Sequence, residues 1–139
     1  MEISLVRKRL TETIDRAKKQ AAERRGRSDQ ASRDFEVFLQ KIAVPLFRQV
    51  ANALKADGHA FTVFTPSGSV RLMSDRAAED YIEISLDTAG DPPRVMGQIS
   101  RNRGRRVIDT ERAIGAPGTL TEEDVLEFLL KELEAFVEH

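Results

Sequence analysis

The strongest constraint on the fold is a change of hydrophobic period near residue 58. Phe35, Phe38, Leu39, Ile42, Leu46, Phe47, Val50 and Leu54 recur at helical spacing and make a wide apolar stripe. Asp57-Gly58 follows, and glycine just past a helix end accepts the left-handed backbone that stops it. From His59 onward the period drops to two. Residues 59–65 read as a strand, Pro66-Ser67-Gly68 as a tight turn, and residues 69–73 as a returning strand. Residues 80–87 alternate most clearly, with Ile82, Ile84 and Leu86 opposite Tyr81, Glu83 and Ser85. One face is dry and one is wet, as in an antiparallel sheet. Val95, Gly97 and Ile99 mark a fourth strand, Arg101-Asn102-Arg103-Gly104 a turn, and residues 105–109 the start of a fifth. Consecutive strands joined by short turns imply an antiparallel meander, with the apolar helices covering one of its faces.

Helical period returns after residue 120. Thr121 is a cap, Asp124 closes a capping box, and Leu120 with Val125 is a hydrophobic staple. Val125 or Leu126, Leu129, Leu130, Leu133, Phe136 and Val137 are the expected core face. Glu122, Glu123 and Asp124 occupy the first turn, where the helix dipole favours anions.

A second helical stripe precedes the first. Ile3, Val6, Leu10, Ile14, Ala17 and Ala21 are spaced by three and four residues. The stripe is thin and the other faces are charged. Such a helix is only marginally stable alone, so it requires something to lie against, and the same spacing makes a short coiled-coil seam. Residues 24–32 hold one apolar residue, Ala31, and Gly26 costs about 1 kcal/mol of helix relative to alanine. The sequence therefore predicts a break or exposed joint here, with Ser28 or Asp29 capping a second helix. Pro45 predicts a kink over residues 41–45 rather than a stop, because the stripe continues on both sides. The expectation is an α+β chain: a basic helical arm over residues 1–27, then a single domain over 28–139. That domain has a β-meander of four to five strands, with the core helix and the C-terminal helix on one sheet face.

Charge is distributed unevenly. Residues 1–33 hold ten Lys/Arg against five acids, and residues 121–139 hold seven acids against Lys131. Opposite fields of this kind can pair within a molecule or between copies. No cysteine is present, which excludes disulfides, thiolate metal sites and a cysteine nucleophile. That fits a reducing cytoplasm, the expected location. The charged first ten residues do not read as a leader or an anchor, so no membrane partner is expected.

The chemistry-bearing residues are sparse. His59 is the only histidine besides His139 and has no ligand partner at helical spacing, so no metal is expected. Asp75, Glu79, Asp80 and Glu83 lack the order of a calcium loop. Ser67 and Ser69 have only His59 as a base. The glycines around Gly68 and Gly118 do not make phosphate cradles, and the second precedes an acidic helix start. No cofactor, small molecule or catalytic residue is implied. The sharpest feature is Arg101, Arg103, Arg105 and Arg106, four arginines in six residues on a hairpin, suited to phosphates or an acidic partner.

Three readings stand at this point. The leading one is a non-enzymatic protein-interaction module that self-associates or joins a larger assembly, with Ile3, Val6, Leu10, Ile14 and Ala17 as contacts. The alternative is nucleic-acid binding by Arg101, Arg103, Arg105 and Arg106, helped by the basic arm. The third is an enzyme using acids on the sheet, around Glu83 and Asp109, which requires those acids to converge in a pocket.

Overall fold

The computed structural model describes residues 1–138. His139, the last residue of the expected domain, lies outside the described residues. One continuous helical rod opens the chain. Its parts are α1 (Ile3–Phe38), a π-helical turn (Leu39–Ala43) and α2 (Val44–Ala56). Five strands follow: β1 (Phe61–Phe64), β2 (Ser69–Ser74), β3 (Tyr81–Asp87), β4 (Arg94–Arg103) and β5 (Arg106–Gly115). Helix α3 (Glu122–Leu133) closes the fold, with a short 3₁₀ turn at Glu134–Phe136. The strands pair in chain order, β1-β2-β3-β4-β5, and every pair is antiparallel. The protein is a two-layer α+β meander.

The register explains the layers. Val63 pairs with Leu72, Leu72 with Ile82, and Ile82 with Ile99, so their side chains share a face. That face also carries Val70, Ile84 and Val95, all fully buried. Phe35, Phe38 and Phe47 from the rod and Val125 and Leu129 from α3 complete the same core. At about 25 cal/mol per Å² of apolar surface removed from water, this cluster is the main stabilising element. Gly97 lies among these residues because Phe128 of α3 packs directly above it. A Cβ at Gly97 would come within 2.7 Å of the Phe128 ring at Cε1.

Several expectations change. The rod does not break at residues 24–32. Gly26 sits inside α1, and Ser28 and Asp29 are interior helical residues rather than caps. A glycine penalises a helix without prohibiting it, and the turns on either side carry good helix formers. The proline irregularity falls where expected, but as a π turn. The Val44 N–H donates to the Leu39 carbonyl five residues back, and Pro45 enters the first turn of α2, where its missing N–H costs least. No stop results. Leu130, expected in the core, is 56% exposed. The arginine turn is shorter than expected. β4 runs through Arg103, and the turn is Gly104-Arg105, with Gly104 at φ 65° supplying the positive φ of a two-residue hairpin.

The helix ends are built as their sequences require. At the end of α2 the Gly58 N–H donates to Lys55 at 3.1 Å and the His59 N–H to Leu54 at 2.8 Å, with Gly58 at φ 88°. That is a Schellman motif, and it assigns His59 to the cap instead of a strand. At α3 the Asp124 N–H donates to Thr121 Oγ1 at 3.2 Å, while the Thr121 N–H donates to Asp124 Oδ2 at 3.0 Å. The capping box is complete in both directions.

Candidate interaction surface

Helix α1 leaves the domain almost at once. Ala31 is its first buried residue, and residues 1–20 are exposed throughout. At 1.5 Å per residue the helix spans about 54 Å, and residues 3–25 project for roughly 35 Å beyond the core. Along this projection the apolar stripe is uncovered. Ile3 is 74% exposed, Leu10 56%, Val6 45% and Ile14 44%, with Ala17 also exposed. Apolar side chains of this kind, lined up on one helix face, are costly to leave in water.

The base of the arm is pinned. Arg27 donates from Nε to Asp91 Oδ1 at 3.0 Å and from Nη2 to Oδ2 at 2.7 Å, a bidentate pair. The bond holds the Asp91 carboxyl below its ordinary range and the Arg27 guanidinium above its own. Arg24 also lowers Asp91 through its charge. Asp91 lies in the loop between β3 and β4, 64 residues along the chain from Arg27. Sequence reasoning missed this tether, because separation of that size leaves no local signal.

The arginine hairpin occupies the opposite end of the sheet. Strand β3 begins at Tyr81, opposite Ser100, so β4 beyond that point has only β5 beside it. Arg103 pairs with Arg106 across the ribbon, Arg101 with Ile108, and Arg105 occupies the turn. The ribbon is steadied by the Asn102 N–H, which donates to Asp80 Oδ1 at 2.6 Å. Among the described residues, none of the four arginines makes an ion pair. The arm leaves beside the start of β4, whereas the arginines lie at its far end, roughly 30 Å away along the strand. Arm and hairpin are therefore two separate basic surfaces.

The outer sheet face has no covering layer. Arg71 donates from Nε to Glu83 Oε1 at 3.0 Å and lies 4.0 Å over the Tyr81 ring. Glu83 and Asp109 both belong to this face, in different register rows and with β4 between them. Two strand spacings put them on the order of 10 Å apart, and neither lines any of the larger cavities. The convergence required of a catalytic pair is lacking there. A cavity of about 360 Å³ at the end of α2 brings His59 near Asp57, Arg76 and Asp80, but neither Ser67 nor Ser69 lines it. Among the described residues, no three acids or histidines gather in a metal-binding group. No described helix is long and apolar enough to cross a membrane.

Fold and surface define a class: an α+β meander carrying a projecting, basic, apolar-striped helix. Compared with family models, curated proteins and solved structures, the chain matches none.

Proposed function

We propose that the protein is a non-enzymatic interaction module that self-associates through its N-terminal helix. One observation carries the reading: a helix standing clear of its own domain for about 25 residues, with Ile3, Val6, Leu10 and Ile14 uncovered on one face. A lone helix of that length is marginal in water, and packing of the stripe is what stabilises it. Light scattering tests the reading. The intact chain is expected at twice its 15.6 kDa mass or more, and a Leu10→Asp, Ile14→Asp variant at the single-chain mass. An intact chain that stays single at high concentration would sink it.

A second reading rests on the protruding hairpin. Arg101, Arg103, Arg105 and Arg106, without internal partners among the described residues, suit phosphate contacts. The arm lies at the other end of the sheet, so the hairpin's contribution can be tested on its own. Four contacts give a slope of about −4 for log affinity against log salt. Duplex DNA binding measured at low salt should disappear when all four become alanine. Unchanged binding would remove the hairpin from consideration.

A further inference from the structure

We infer that two copies pair through these helices antiparallel, crossing near Glu12, and this rests on self-association through the arm. The first observation is steric. The three-and-four spacing that starts at Ile3 continues through Arg24, Ser28, Ala31, Phe35 and Phe38. Ala31, Phe35 and Phe38 are buried in the chain's own core. The seam and the domain therefore occupy the same side of one helix. In a parallel, in-register pair the partner helix would continue into the volume that the domain already fills. In an antiparallel pair the partner ends beside Arg24, just before the Arg27–Asp91 tether. The free length of the arm matches one such overlap.

The second observation is the order of residues along the seam. Ile3, Val6 and Leu10 mirror Ala21, Ala17 and Ile14 about residue 12. Antiparallel pairing sets Ile3 against the partner's Ala21 and Val6 against the partner's Ala17, large against small, with Leu10 against the partner's Ile14 at the centre. Parallel pairing sets alanine on alanine at one end and isoleucine on isoleucine at the other. Even filling of the seam favours the antiparallel arrangement. On the exposed flank Arg7 faces the partner's Lys18, a like-charge pair of small effect.

The chain has no native cysteine, so single spin labels can be placed cleanly. Ser4→Cys and Thr11→Cys put a label on exposed positions off the seam. In the antiparallel pair the two Ser4 labels are separated by roughly 24 Å along the axis and the two Thr11 labels by roughly 3 Å. Because these offsets add in quadrature to the lateral separation of the helices, pulsed dipolar spectroscopy on the two full-length variants should give a Ser4 distance longer by on the order of 10–15 Å. Equal short distances would overturn the antiparallel arrangement while leaving arm pairing intact. Two long distances in a sample with dimer mass would remove the arm from the interface. A single-chain mass with no coupling would overturn self-association itself.

Discussion

At the scale of single residues, Gly97 has a steric role. It is the one position on the inner face of β4 where α3 needs the backbone bare, and the Phe128 ring fills the space. Gly97→Ala forces that ring to move, and overpacking of this kind costs about 1–3 kcal/mol. Chemical denaturation should show the loss, and Phe128→Leu in the same chain should recover part of it. The alternation of Val95, Gly97 and Ile99 revealed a strand but not why the middle residue is glycine, since Phe128 is remote in sequence. The capping box at Thr121 was fully legible, because every partner lies within four residues. Its Asp124 carboxyl is held below the ordinary aspartate range, first by the Thr121 backbone N–H and then by the Thr121 side chain. A lowered carboxylate stabilises the fold above its unfolded pKa, roughly 4, and that contribution is lost as pH falls through the lower folded value. An Asp124→Asn variant should therefore lose less stability than the parent between pH 5 and strongly acid solution. Acid denaturation curves followed by circular dichroism would show whether the two converge.

At the scale of elements, periodicity located the five strands and the core and closing helices, while punctuation misled most at the joint between the two N-terminal stripes. Residues 3–21 and 35–54 read as separate helices because Gly26 and a polar stretch lie between them. The structure keeps them in one helix, since nothing in residues 24–32 is incompatible with helix. Pro45 did alter the backbone, but the π turn at Leu39–Ala43 absorbed it. This continuity has a measurable consequence. Residues 1–25 touch none of the core, so deleting them should change the domain's intrinsic stability by no more than about 0.5 kcal/mol, the range of surface changes. Denaturant unfolding at low protein concentration, where association contributes least, measures this. A loss of several kcal/mol would mean that the arm packs on the domain.

At the scale of the whole molecule, the arrangement of charge separates the two functional readings. The opposite ends of the sequence promised a basic arm and an acidic helix that could neutralise each other. In the fold α3 lies on the sheet beside β5, and its Glu132 pairs with Arg112 rather than with the arm. That division was not legible in the sequence, because it depends on which edge of the meander α3 covers. Residues 1–25 carry eight basic and four acidic side chains, so two paired arms bring like net charges together. Screening by salt relieves that repulsion while leaving burial of the stripe intact. Arm-mediated association should therefore tighten between 50 and 500 mM NaCl, measured by sedimentation equilibrium. Nucleic-acid contact through the arginine hairpin must respond in the opposite direction, because added salt removes the gain from counterion release. Since hairpin and arm stand at opposite ends of the sheet, the two responses are separable in one molecule. Replacing Arg101, Arg103, Arg105 and Arg106 with alanine should abolish the salt-weakened response and leave the salt-strengthened one untouched. Association that weakens with salt in that variant would place the contact on the charged faces of the arm instead of its apolar stripe.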